Sequence, residues 1–126
     1  MEPTVLMIED DAESAGLMKL TLGPRGYRVL VASDGLQGLE MAHADPPDLI
    51  LLDLLLPGMD GLEILSRLRT DPQTADVPVV VISSRDRPTD QHTAAEIGAD
   101  AYLIKPYGLA ELLALLRSLL SERSEL

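Results

Sequence analysis

Three runs of four apolar residues, Val5-Leu6-Met7-Ile8, Leu49-Ile50-Leu51-Leu52 and Val79-Val80-Val81-Ile82, contain no polar alternation. A strand with one wet face alternates apolar and polar residues, so runs of this kind read as short strands buried on both sides, as in a parallel sheet covered by helices. Each run also stops on a polar group. The first passes into Glu9-Asp10-Asp11, the second into Asp53 and the third into Ser83-Ser84. The carboxyl edge of an open α/β sheet is where such folds bind ligands, which makes an acid there a functional candidate.

The remaining chain supplies the connections. Tyr27 to Ala32 is β-branched and aromatic enough for a strand, and Ala101-Tyr102-Leu103-Ile104 forms a last strand that ends in Lys105-Pro106. Between strands, Leu17, Met18 and Leu22, with Ser14 and Thr21 on the same side, predict a first helix that stops at Gly23-Pro24. Asp10 could cap it with Glu13 answering. Ser33 or Asp34 can cap a second helix carrying Leu36 and Leu39, and Asp45-Pro46-Pro47 breaks it. Asp60, with Glu63 at the answering third position, opens a third helix that buries Ile64, Leu65 and Leu68. Residues 88–98 should be helical but offer little beyond Ala94, Ala95 and Ile97 to pack, making this the least firmly held helix. Leu109, Leu112, Leu113, Leu116, Leu119 and Leu120 lie on one side of a closing helix, and Leu115 sits at the edge of that stripe, available to a partner or a second copy. A polar tail, expected to fray, follows from residue 121. The domain is placed at residues 1–121 and the tail at 122–126.

Five alternations of strand and helix argue for a doubly wound α/β fold with right-handed crossovers. A chain of 126 residues is one domain's worth, and 46% hydrophobic content excludes a mainly disordered polymer. The absence of cysteine removes disulfides, thiolate metal sites and cysteine nucleophiles, and is compatible with a cytoplasmic setting. No basic leader precedes the first apolar run, and no apolar stretch approaches the ~18 residues of a membrane span. A net charge of −11 opposes direct nucleic-acid binding. It suits partners with basic surfaces, or a cation held among carboxylates.

If all strands are parallel, Glu9, Asp10, Asp53, Ser83 and Lys105 gather at one edge. Carboxylates crowded together repel unless a cation sits among them. Oxygen-only donors point to a hard ion such as Mg2+, which takes one or two carboxylates plus phosphate oxygens. With a lysine ammonium and a serine hydroxyl beside it, the pocket suits a dianionic tetrahedral group, and a carboxylate is the nucleophile at hand. Taken singly, each residue also has an ordinary use: Ser83 as a turn residue, Lys105 as a solvated strand-end lysine, Tyr102 as a half-buried strand tyrosine.

With these features in order, Glu9-Asp10 after the first strand, Asp53 in LLDLLLPGMDG, Ser83, Tyr102 and Lys105-Pro106-Tyr107, the chain closely resembles the receiver domain of two-component response regulators over nearly its whole length. The resemblance implies a five-stranded sheet in the order 2-1-3-4-5. It implies that Asp53 is the phosphoacceptor, served by a sensor histidine kinase or phosphotransfer protein. Asp10, Asp53 and the backbone carbonyl of Leu55 would hold Mg2+, with Glu9 acting mainly through water. Lys105 and Ser83 would contact the phosphoryl oxygens, Ser83 and Tyr102 would form the switch, and Pro106 would follow a cis peptide. The output would be a downstream protein target or effector domain, or a homodimer, engaged through the fourth helix, fifth strand and fifth helix. Such a chain is a switch and not a turnover enzyme.

Rival readings are an excised receiver of a multidomain regulator, a degenerate receiver serving only as a binding module, an aspartate-nucleophile phosphohydrolase, and a flavodoxin. A phosphohydrolase normally has a second acid two residues after the nucleophile, where this chain has Leu55. A flavodoxin needs a phosphate loop where this chain has Glu9-Asp10-Asp11, which repels phosphate unless metal intervenes.

Overall fold

In the computed structural model, which describes residues 2–124, strand and helix alternate as the apolar runs predict. The order is β1 (Thr4–Ile8), α1 (Ala12–Leu22), a 3-10 turn (Gly23–Arg25), β2 (Arg28–Ala32), α2 (Gly35–Ala44), β3 (Leu49–Asp53), α3 (Gly61–Thr70), β4 (Val79–Ser83), α4 (Pro88–Ile97), β5 (Ala101–Ile104) and α5 (Leu109–Ser124). The strands form one sheet in the order β2-β1-β3-β4-β5, every pair parallel. Register brings the carboxyl ends level: Ile8 lies opposite Leu52, Asp53 opposite Ile82, and Ser83 opposite Ile104.

Successive residues of each strand point to opposite faces, and both faces are covered. Leu6, Ile8, Ile50, Leu52, Val79 and Val81 pack with Ile64, Leu65 and Leu68 of α3, with Ala42 of α2 and with Ala94 of α4. Val5, Met7, Leu49, Leu51, Val80 and Ile82 pack with Met18 and Leu22 of α1 and with Leu112 and Leu116 of α5. This double coverage is the physical reason the central strands show no polar alternation.

Several local expectations are revised. The α1 core face is Ala15, Met18 and Leu22, whereas Leu17 is 65% exposed. The cap of α1 is Asp11, not Asp10. Its carboxylate accepts from the Glu13 N–H at 3.2 Å and from the Ser14 hydroxyl at 2.8 Å, which leaves Asp10 free of capping. Asp34 caps α2, accepting from the Gln37 N–H at 2.8 Å. Asp60 caps α3 through the Leu62 N–H at 3.2 Å, but Glu63 pairs with Arg67 at 3.1 Å and does not close a capping box. The apolar β3–α3 loop is explained by burial, since Leu54 is buried and Leu56 and Met59 pack onto the α3 side of the core. Leu115, expected at the margin of the core, packs against the α1/α5 cluster.

The weak α4 buries only Asp90 and Ala94, and it ends at Gly98, whose φ of +129° is a conformation that favours glycine. Helix α5 continues to Ser124, past the position where the sequence suggested a frayed tail, and residues 125–126 lie outside the described part. Among the described residues, no helix is long and apolar enough to cross a membrane.

Candidate functional site

The carboxyl edge of the sheet gathers the predicted residues. Asp53 ends β3, buried to 7% exposure, and Glu9 follows β1 at 3%. Asp10, next in the chain, is exposed. Carboxylate oxygens of Glu9, Asp10 and Asp53 all lie within 4.8 Å of one another. From β5, the Lys105 ammonium reaches across to Asp53 Oδ2 at 3.0 Å and to Glu9 Oε1 at 3.3 Å. The other Asp53 oxygen accepts from the Leu55 N–H at 2.9 Å, which fixes the orientation of the carboxylate. The Lys105-Pro106 peptide is cis.

The electrostatics follow from crowding. Burial, then the charge of Asp53, push the Glu9 carboxyl above its ordinary value, with Lys105 opposing. For Lys105, burial pulls the ammonium's pKa down but is outweighed by the hydrogen bond and charge of Asp53 and by Glu9, so it stays above the usual lysine value. Two of the three carboxylates, Glu9 and Asp53, share one ammonium. A hard divalent cation fits such an all-oxygen donor set, and the Glu9, Asp10 and Asp53 oxygens are close enough to serve one.

On the other side of Asp53, Ser83 is fully buried at the end of β4. Its Oγ accepts from the Arg85 N–H at 3.1 Å. Tyr102 of β5 is half-buried against the α3 side of the core and donates its hydroxyl to the Arg85 carbonyl at 2.8 Å. Burial raises the Tyr102 pKa, so the hydroxyl remains a donor through the neutral range. Beside Lys105 a groove of about 540 Å3 runs between α1 and the start of α5, and the exposed Leu17 lines it together with Tyr107 and Leu109.

Two arginines escaped the reading by residue pattern. Arg69, at the end of α3, donates to the carbonyls of Gly98, Thr74, Ala75 and Val77 and pairs with Asp100 at 3.0 Å. Arg85 reaches Asp60 at 3.7 Å. The only local hint was that each stands in a loop or helix end where solvation is the ordinary expectation.

Comparison with known proteins agrees with the geometry. The family model of the response regulator receiver domain matches residues 5–117. The DNA-binding dual master transcriptional regulator RpaA of Synechocystis is 42% identical over 118 residues, covering 94% of this chain and 49% of that protein. The chain thus spans about half the length of the curated relatives it matches. Among solved structures, the BeF3-activated receiver domain of Klebsiella pneumoniae RstA superposes with a TM-score of 0.86 at 34% identity, covering 93% of this chain and 97% of that one. The receiver domain of sensor histidine kinase PA1611 from Pseudomonas aeruginosa, which has a magnesium ion coordinated in its active site cleft, gives 0.87 at 27% identity, covering 96% and 99%. The chain belongs to the response regulator receiver domains of two-component systems, phosphoacceptor signalling domains and not enzymes in their own right.

Proposed function

We propose that Asp53 accepts a phosphoryl group from a phosphohistidine of a sensor kinase or phosphotransfer protein, and that the resulting aspartyl phosphate switches a protein-binding face. The observation that carries this reading is the oriented Asp53 carboxylate, held by Lys105 at 3.0 Å and by the Leu55 N–H at 2.9 Å at the sheet's carboxyl edge. In the transfer, an Asp53 oxygen attacks phosphorus, the P–N bond breaks, and its electron pair returns to the imidazole. Lys105 then moves its charge from the carboxylate to a phosphoryl oxygen, and Ser83 donates its hydroxyl to another.

Mg2+, held by Asp10, Asp53 and the Leu55 carbonyl with Glu9 acting through water, would neutralise charge on the transferring group. The second acid that an aspartate-nucleophile phosphohydrolase would use is absent, Leu55 standing in its place. As Ser83 turns toward the phosphoryl group, Tyr102 follows, and the population of the face formed by α4, β5 and α5 shifts. Helix α4 is suited to move because Ala94 is its one fully buried apolar side chain. Ile104, 38% exposed on β5, is an apolar contact on that face for a target, an effector domain or a second copy. The setting is the cytoplasm, where kinase domains and their phosphodonors meet such a domain.

The test is mass spectrometry after acetyl phosphate and Mg2+. Wild type should gain one phosphoryl mass increment and Asp53→Asn none. An adduct that persists in Asp53→Asn would place the chemistry elsewhere.

A further inference from the structure

Arg85 is the residue on which the two switch positions physically meet. Its N–H is held by the Ser83 hydroxyl at 3.1 Å and its carbonyl by the Tyr102 hydroxyl at 2.8 Å. Its side chain leaves the β4–α4 loop altogether and crosses to Asp60, the cap of α3, at 3.7 Å. The Arg85 side chain is 29% exposed and that of Asp60 56%. The loop carrying Arg85 is therefore fixed from three elements, β4, β5 and α3. The first two contacts involve the groups that move in the proposed switch, and the third does not. Helix α4, which follows directly, has little apolar burial of its own, so the path of this loop sets where it lies.

We propose that the Arg85–Asp60 pair is a tether that biases the domain toward its unphosphorylated arrangement, making Arg85 a positioning residue for the switch. The proposal rests on the phosphoacceptor reading. A turn of Ser83 toward a phosphoryl group withdraws the acceptor from the Arg85 N–H, and the loop can then relax, carrying Tyr102 with it. The ion pair resists that displacement because Asp60 is anchored at the N-terminus of α3 by its own bond to the Leu62 N–H. A pair this exposed is a bias and not a lock, able to change a two-state ratio by roughly two- to fivefold.

The experiment uses the full chain labelled with 3-fluorotyrosine, in which three tyrosines give three fluorine resonances. The Tyr102 signal is assigned with Tyr102→Phe, and its positions before and after acetyl phosphate with Mg2+ define the two states. Asp60→Asn keeps a capping oxygen for α3 while removing the charge, and Arg85→Ala removes the other partner. Each should move the unphosphorylated Tyr102 signal toward the phosphorylated position by the same amount, roughly a two- to fivefold change in ratio. The double variant should go no further, and Arg85→Lys should stay near wild type. An unmoved signal in both single variants, opposite displacements, or additive effects would overturn the tether. Mass spectra of the same samples separate the two readings: a normal adduct at Asp53 with an unmoved signal removes the tether alone, and no adduct in wild type removes the switch and the tether together.

Discussion

Replacing Lys105 by Met tests the charge arrangement most directly, because it removes the one ammonium shared by Glu9 and Asp53 while keeping an unbranched side chain of similar length. At the observed separations of 3.0 and 3.3 Å, each pair has a direct Coulomb attraction of about 5 kcal/mol at an effective dielectric near 20. Most of this is offset by desolvation and by repulsion between the carboxylates. Breaking a buried pair ordinarily costs about 3–5 kcal/mol. The Lys105 side chain is 34% exposed, which lowers that figure by solvent screening.

A ceiling comes from proton binding. The variant can relieve itself by protonating one carboxylate, which costs about 3 kcal/mol near neutral pH for a group whose ordinary value is 4.5. The expected loss is therefore roughly 1–3 kcal/mol near neutral pH. Its pH dependence has a definite sign. The folded variant holds a proton that the unfolded chain releases, so its deficit shrinks by up to ~1.4 kcal/mol for each pH unit of acidification and fades as the ordinary carboxylate range is reached. Millimolar Mg2+ should recover part of the loss at neutral pH. Urea unfolding followed by far-UV circular dichroism, at several pH values with and without Mg2+, measures each quantity. A variant as stable as wild type at neutral pH, or a deficit that does not change with pH, would refute the shared-charge account.

Glu9, buried and pushed above its ordinary value of 4.5, contributes stability that is present below that value and lost as pH rises through its folded-state value. Glu9→Gln should therefore stabilise the metal-free domain near neutral pH, converge with wild type in acid, and reduce the stabilisation gained from Mg2+; thermal melts across pH check all three. Gly61→Ala places a methyl group 2.4 Å from the Leu54 Cα and 2.9 Å from its carbonyl oxygen, both backbone atoms, so α3 or the β3–α3 loop must shift. The expected cost is about 1–3 kcal/mol in urea unfolding, with slower acetyl phosphate labelling of the neighbouring Asp53. Arg69→Ala leaves the Gly98, Ala75 and Val77 carbonyls without their side-chain donor and removes the cation from Asp100, which keeps only the Val79 N–H, and should cost about 2–4 kcal/mol. Arg69→Lys should restore little, because one ammonium cannot reach partners spread over two loops, and amide exchange at Gly98 and Ala99 would report the loosened α4–β5 connection.

The chain order of short apolar runs, each closing on a polar group, was enough to establish a parallel sheet with both faces covered. It also placed Glu9, Asp10, Asp53, Ser83 and Lys105 at a common edge, because strand direction alone decides where a strand's last residue lies. The order of the strands came only from the family resemblance. What local pattern could not decide was which side of a helix faces inward when both are apolar. In α1, Leu17 and Leu20 are larger than Ala15, yet the small residue is buried and both leucines are exposed, and only the seat of the helix against the sheet selects between the two stripes. Asp11 took the capping role that Asp10 could equally have filled, and that choice frees Asp10 for the acidic pocket.

The same holds for the arginines. Arg69 and Asp100 are 31 positions apart, and Arg85 acquires meaning only when Ser83, Tyr102 and Asp60 converge on it from three elements. Hydrophobic periodicity is a property of one segment, and a chain reveals it locally. Charge pairing and hydrogen bonding across segments depend on distances that exist only after the segments have packed.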